Sequence, residues 1–336
     1  MNGLALTFYS VLRMPIRDIL ECARAAEDAG FEYISIAESF YRDGAALATA
    51  IAMSTRRVKL GSSVFPIYTR TPFQLAMAVA TLQEISSGRV GYLGLGVGYR
   101  YRTESYFGLK LERPLARMRE TTEIVRRLLS GSDASYEGEF FSFHGFPKLA
   151  PQPIPVPIYF GSSGSRMIEL AGEVGDGVIL NSIATPQHID HARKTLREGA
   201  KKANRDASRL TVASSVIYAV SDDVEEAALA AREDVLFYIG YPELDPVLRQ
   251  SGLMAQAEGI RRTQQQHGRQ AALQLIDRPM LDALAIYGRA GDCRAKLRSL
   301  MQAGIDLPII RVSNVPYPEA EKKAVFLRAI ESLKGF

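Results

Sequence analysis

The sequence predicts an α/β fold, a (β/α)8 barrel, from three observations. Short apolar runs of strand type alternate with segments of helical periodicity along the chain, and such alternation builds a parallel sheet covered by helices. Eight such strands can be counted, the number that closes a barrel. The segment that best suits an open nucleotide-binding sheet, GYLGLGVGYR with Gly94, Gly96 and Gly98, has the wrong spacing for GxGxxG. GYRYRTESYFGLKLERP also separates it from the next helix, so an open doubly wound sheet is the runner-up.

The elements follow in order. Leu4–Tyr9 is the first strand. Pro15–Ala29 is a helix: Pro15 fits the first turn, Ile16, Ile19, Leu20 and Ala23 share a face, and Gly30 stops it. Tyr33–Ala37 is the second strand, with a helix near Gly44–Ser54 behind it. Val58–Val64 is the third strand, and Thr71-Pro72 opens the helix Pro72–Ile85. Val90–Leu95 is the fourth strand, followed by a longer crossover and a helix at Glu112–Leu129. In Ser135–Pro157, alternating aromatics and Gly138 predict a small hairpin, and the prolines an extended linker.

Ile158–Phe160 is the fifth strand, and Arg166–Val174 a helix with Met167, Leu170, Ala171 and Val174 at core spacing. Gly177–Asn181 is the sixth strand, Pro186–Asn204 a helix, Leu210–Val220 the seventh strand and Asp222–Gly240 a helix. Tyr241–Met280 is more polar and interrupted, and is expected to be an insertion in a single domain of residues 1–336. The barrel thus carries insertions after strands four and seven. A helix at Asp292–Ala303, the eighth strand Ile309–Val312 and a helix at Glu319–Leu333 complete the pattern.

At 336 residues, with 47% hydrophobic and 23% charged residues, the chain has the composition of a soluble globular protein with an ample core. The net charge of +4 is dispersed among acids, which argues against a nucleic-acid partner. Cys22 and Cys293 sit in helical patterns without CxxC spacing and are expected to be reduced thiols of a cytoplasmic protein. The first residues lack a secretory pattern, and no apolar run nears the roughly 20 residues needed to span a membrane.

The most informative stretch is IYFGSSGSRMIELAGEVGDGVILN, from Ile158 to Asn181: buried strand, Gly/Ser loop, helix, buried strand. Amide groups at such a helix start attract an anion, with roughly 0.3–1 kcal/mol from the helix dipole. Gly161, Ser162, Ser163, Gly164 and Ser165 would let a phosphate approach and offer it hydroxyls. Gly/Ser loops also join strands to helices where no ligand binds, so the loop alone leaves both readings open.

In a barrel the site lies at the carboxyl ends of the strands. That rule selects Thr7, Phe8 and Tyr9 after the first strand, and Glu38, Ser39, Phe40, Tyr41, Arg42 and Asp43 after the second. The third gives Ser62, Ser63, Val64 and Tyr68; the fourth gives Gly96, Gly98, Tyr99 and Arg100; the sixth ends at Asn181. This rim is aromatic and polar, suited to stacking a flat ring, though tyrosines line many barrel rims. His188 and His191 could share a helix face, but without acidic or cysteine partners they read as surface histidines rather than a metal pair. GxSxG and HExxH are absent.

AGFEYISIAES and YRDG after the second strand, VKLGSSVFPIYTRTP, EISSGRVGYLGLGVG, PIYFGSSGSRMIELAGEVGDGVILN and LRSLMQAGID together resemble the luciferase-like flavin barrel superfamily. Within it the chain is most similar to the branch using coenzyme F420, typified by methylenetetrahydromethanopterin reductase. The resemblance is weakest over Tyr241–Met280. It implies a hydride-transferring F420 oxidoreductase; the alternatives are an FMN-dependent monooxygenase and a non-catalytic flavin-binding barrel. It further implies a small-molecule substrate, assembly as a homodimer or higher homo-oligomer, and no metal.

By the same resemblance, Gly161–Ser165 would hold the cofactor phosphate, and Asn181 would line the phosphate side unless it is a turn residue. A non-proline cis bond at Ser63-Val64 would make a bulge behind the ring with Val64 backing it, Ser62 would be among the cofactor-binding residues, and Gly96 and Gly98 would let the fourth-strand loop pass close to the ring. Several expected acids are replaced: the pair after the second strand is Glu38-Ser39, the acid near the end of the first strand is Thr7, and a glutamate after the fourth-strand glycines is Tyr99. Glu38 is the first general acid/base candidate and Tyr99 the second, with a salt bridge from Glu38 to Arg42 or Arg70 as the competing reading.

Overall fold

The structure is a computed structural model that describes residues 3–9, 14–38 and 41–336. Ser39 and Phe40, named above as strand-end candidates, lie outside the described residues. The elements run β1 (Ala5–Thr7), α1 (Ile16–Ala29), β2 (Tyr33–Ile36), α2 (Gly44–Ser54), β3 (Lys59–Ser62), β4 (Phe65–Pro66), α3 (Pro72–Ile85), β5 (Val90–Gly96), α4 (Arg100–Ser105) and α5 (Pro114–Leu128). They continue with β6 (Ala134–Glu137), β7 (Ser142–Phe146), β8 (Ile158–Gly161), α6 (Ser165–Val174), β9 (Gly177–Leu180), α7 (Pro186–Lys202), β10 (Thr211–Val220) and α8 (Val224–Ile239). The last are α9 (Asp245–Gln250), α10 (Met254–Gln274), α11 (Arg278–Leu284), β11 (Ile286–Gly288), α12 (Ala290–Gln302), β12 (Leu307–Val312) and α13 (Lys322–Ser332).

The strands β1, β2, β3, β5, β8, β9, β10 and β12 answer to the eight predicted, and the fold is a (β/α)8 barrel. The chain forms two compact units: Met1–Glu32, Leu180–Lys194 and Val212–Phe336, and Tyr33–Ile179 with Thr195–Thr211. In the first, β12 lies between β1 and β10, and β11 pairs with the other side of β10, all parallel. In the second the parallel order is β2-β3-β5-β8-β9, with β4 added beside β5.

Three segments differ from expectation. The third strand is not continuous to Val64: β3 ends at Ser62, a cis peptide joins Ser63 to Val64, and pairing resumes at β4. β11 is unforeseen because three residues are too few to display a period of two. Tyr241–Met280, expected as a polar insertion, folds into helices. Leu244, Val247, Leu248, Ile260, Leu273, Ile276 and Met280 are buried in one core with Val235, Leu236 and Ile239 of α8. Glutamines, arginines and a break at Gly268 (φ 82°) dilute that apolar face in the sequence.

The predicted hairpin is present as antiparallel β6 and β7. Phe73 of α3 holds it, with its ring 4.9 Å from that of Phe143 and 5.0 Å from that of Phe146. Within the same unit Arg89 closes the end of α2. Its guanidinium donates to the carbonyls of Ala52 at 2.7 Å, Val58 at 2.9 Å and Thr55 at 3.1 Å. Helix ends leave such carbonyls without intrahelical partners, and one forked cation serves several at once. Ser87 and Gly88, both with positive φ, turn the chain after α3 so that Arg89 leads into β5.

Among the described residues no helix is long and apolar enough to cross a membrane, and no cluster could hold a metal ion. Cys22 in α1 and Cys293 in α12 are buried and unbridged, and burial pushes both thiols up to about 12. His188 corrects the surface reading: it is 0% exposed, and its Nδ1 lies 2.7 Å from Gln250 Oε1, tying α7 to α9. Desolvation lowers its pKa.

Unfolded histidine takes up a proton below about pH 6.5, whereas folded His188 resists protonation to lower pH. Stability is therefore lost as pH falls from 7 through the unfolded value, and the loss levels off below the folded value. Urea titrations at pH 7.5 and 5.5 should show a larger acid-side loss for the native chain than for His188→Gln. Equal losses would refute this account.

Candidate functional site

The sequence candidates after β3, β5 and β8 come together around one side chain, Val64. Ser62, buried at the end of β3, donates from Oγ to Gly94 O at 3.0 Å and accepts the Gly94 amide at 2.8 Å. Ser63 then donates its amide to Ile36 O at 2.8 Å, and Glu38 donates its amide to Val64 O at 3.3 Å. These bonds fix the chain on both sides of the cis Ser63-Val64 bond. A Cβ on Gly96 would lie 2.3 Å from Val64 Cγ2, and one on Gly161 would lie 2.8 Å from Val64 Cγ1. Neither position tolerates a side chain while Val64 stays where it is. Gly96 therefore serves Val64 directly, a closer role than the loop clearance expected of it.

Gly98 has φ 75°, a conformation that favours glycine, and it leads into Tyr99 at the start of α4. The guanidinium of Arg102 lies 5.3 Å from the centre of the Tyr99 ring. After β8, Ser162 donates its amide to Ile179 O at 3.1 Å, and its Oγ accepts the Gly164 amide at 3.1 Å. Ser163 is buried, whereas Ser165 is exposed. Gly164 stands at the N-cap of the ten-residue helix α6 with no capping side chain, and a Cβ there would meet nothing within 4 Å. The start of α6 is thus a helix dipole's positive end with room beside it, which is what an anion requires. Asn181 follows β9 in the other compact unit, where its Oδ1 accepts the Ser182 amide at 2.7 Å.

Glu38 is engaged on both oxygens. Arg70 Nε donates to Oε1 and Oε2 at 2.9 Å, and Arg70 Nη2 donates to Oε2 at 2.6 Å. Oε2 also accepts the Gly44 amide, at 2.9 Å, at the start of α2. Arg70 Nη2 reaches Asp43 Oδ2 at 2.5 Å, and Asp43 Oδ1 caps α2 by accepting the Ala46 amide at 2.7 Å. Burial raises the Asp43 pKa, but the Ala46 amide and Arg70 outweigh it and hold it below the usual carboxylate range. For Arg70, burial works downward and the Glu38 carboxylate, with Asp43, carries the net shift upward. Both Glu38 oxygens thus accept hydrogen bonds, from Arg70 and from the start of α2.

The sequence matches the model of the family described as luciferase-like monooxygenase over residues 4–307. The chain belongs to that family. Among family proteins, the 5,10-methylenetetrahydromethanopterin reductase of Methanolobus tindarius is 34% identical over 295 residues, 87% of this chain and 89% of the relative. The structure of the coenzyme F420-dependent tetrahydromethanopterin reductase of Methanopyrus kandleri superposes with a TM-score of 0.83 at 26% identity, covering 99% of this chain and 96% of that one. The oxygenating constituent of 3,6-diketocamphane monooxygenase of Pseudomonas putida, in complex with FMN, shares the fold with a TM-score of 0.71 at 20% identity, covering 100% and 97%.

Asp43 is the site-region residue whose part the sequence most understates. It was legible as an N-cap, since an Asp directly before the helical run GAALA is a start signal, but its share in the Arg70 fork was not. The Arg70 and Glu38 side chains are 13% and 14% exposed, so solvent screens the pair little. Arg70→Ala strands the Glu38 carboxylate and should cost on the order of 3 kcal/mol in urea unfolding. Adding Glu38→Gln should regain part of that loss. A cost below about 1 kcal/mol for Arg70→Ala, the range of a surface pair, would sink the assignment.

Proposed function

We propose that the chain is an F420-dependent oxidoreductase that exchanges a hydride between the deazaflavin and a small organic substrate. The observation that carries the reading is the Val64 arrangement, in which Gly96 and Gly161 leave their Cβ positions to one valine. A side chain fixed in that way makes a firm apolar backing for a flat ring. The similarity to the Methanolobus and Methanopyrus reductases supports the choice of F420 over FMN.

In this reading Gly161, Ser162, Ser163, Gly164 and Ser165 hold the phosphate at the start of α6. Ser62 and Ser63 keep Val64 behind the ring, and Gly98 shapes the loop that carries Tyr99. When bound, the deazaflavin supplies two-electron hydride chemistry with little reactivity toward oxygen. The protein's part is to hold ring and substrate at reacting distance, where most of the rate advantage arises. Tyr99 Oη is the proposed proton carrier. Glu38, whose oxygens accept from Arg70 and the Gly44 amide, keeps the segment after β2 in place.

Purified protein titrated separately with F420 and FMN, followed by cofactor fluorescence, tests the cofactor. Binding of F420 at least ten-fold tighter is expected; tight FMN binding with none of F420 overturns the proposal. Gly164→Asp tests the phosphate site. Aspartate is a favoured N-cap, so the fold should not lose stability. Its charge at the α6 start should weaken F420 by at least ten-fold and leave the phosphate-free deazaflavin nucleoside nearly unaffected. Equal weakening of both ligands would remove the phosphate from this loop.

A further inference from the structure

Tyr68, which follows β4, and the hairpin of β6 and β7 meet on one side chain, Arg117 of α5. The Arg117 guanidinium lies 5.0 Å from the ring centre of Tyr68, 5.3 Å from that of Phe140 and 5.2 Å from that of Phe141. Phe140 and Phe141 belong to the turn between β6 and β7, where Phe141 O accepts the Gly138 amide at 3.0 Å. Arg117 Nε donates to Ile67 O at 3.5 Å, the outer limit of a hydrogen bond. Among the described residues no carboxylate lies within ion-pair distance of Arg117. This half-buried cation is therefore held mainly by three rings, from two segments far apart in sequence.

Each partner is itself fixed. Tyr68 Oη donates to Glu112 O at 2.6 Å, just before α5. Burial raises the Tyr68 pKa, and the charges of Arg117 and Arg100 offset only part of that, so the phenol keeps the proton it donates. The hairpin turn is tied to α5 by Glu120, which accepts the Glu139 amide at 2.6 Å and the Phe140 amide at 2.9 Å, and by the ion pair of Arg113 with Glu139. On the sheet side, Ile67 donates its amide to Gly96 O at 2.9 Å, and β4 pairs Phe65 with Leu95 and Pro66 with Gly96. Arg117 thus grips the chain just beyond Val64, where that chain lies against the glycine whose missing Cβ leaves room for Val64. All of these residues belong to one compact unit.

We propose that Arg117 is a positioning residue: by clamping Tyr68 against the hairpin turn it holds residues 65–68 to β5 and so sets where Val64 stands. The inference rests on the reading of Val64 as the backing of a flat cofactor. It gives the insertion after the fourth strand a task in the site, because the hairpin turn is the far jaw of the clamp. Arginine suits the place, since its planar cation stacks on rings while Nε still reaches a carbonyl.

Hydrogen exchange of the ligand-free full chain, followed by mass spectrometry, reads the clamp directly. Arg117→Met keeps an unbranched apolar stem and removes the charge. In it the amides of residues 65–70 should exchange about five-fold faster, the effect of losing a partly desolvated cation–ring contact, while peptides of β8 and β9 keep the native rate. Arg117→Lys, which restores a cation among the rings, should return the rate to within about two-fold of native. Tyr68→Phe removes only the Glu112 bond and serves as a second variant, with a smaller increase, should Arg117→Met fail to fold. In fluorescence titrations Arg117→Met should weaken F420 and the phosphate-free deazaflavin nucleoside alike, by about five-fold, because the ring is common to both. Native exchange at residues 65–70 in whichever variant folds, faster exchange spread evenly over the unit, no recovery in Arg117→Lys, or weakening confined to intact F420 would overturn the proposal. The exchange measurement needs no cofactor, so a chain that binds no F420 refutes the F420 reading and leaves the clamp to be judged by exchange.

Discussion

The volume taken by Val64 is the constraint on which the candidate site depends. Its two methyl groups occupy space that side chains at positions 96 and 161 would need. Protein interiors are packed too closely to absorb such a conflict by small shifts. The requirement therefore passes to three stretches distant in sequence: the end of β3 must deliver a branched side chain, and β5 and β8 must present bare backbone. Ser62, bonded in both directions to Gly94, keeps β3 and β5 at the spacing this demands.

The arginines of the second unit solve a related problem by charge rather than shape. Arg89 serves carbonyls at the end of α2, and at the opposite end Glu38 and Asp43 serve its amides while sharing Arg70. Helix α2 is mostly alanine and small apolar residues, so its own side chains cannot anchor its ends. Flanking segments do so, and these same segments begin β5 and carry the candidates after β2. Site position and helix anchoring are thus one network.

The barrel was legible because its strands are buried on both faces and so stand out as short apolar runs such as Ile158–Phe160. The Gly/Ser loop and the glycines after β5 were legible because glycine has few other reasons to recur there. Less was legible where meaning depends on a distant partner. That Gly96 faces Val64 across a strand pair, or that Arg311 of β12, inside the run LPIIRVSNV, meets Asp234 of α8, follows only from tertiary contact. His188 misled because its polar neighbours in PQHIDHARK suggest an exposed face, while Gln250, the residue that meets it, lies on α9. Helices α9 to α11 were obscured because their buried positions are sparse and interrupted.

The two cysteines have a practical consequence beyond the fold. With both thiols buried and pushed up to about 12, hardly any thiolate exists near neutral pH, and thiolate is the form that alkylating and oxidising reagents attack. The native chain behaves toward such reagents almost as if it had no cysteine. A single cysteine placed on an exposed surface would then carry a dye or spin label alone, with no need to remove the natural pair.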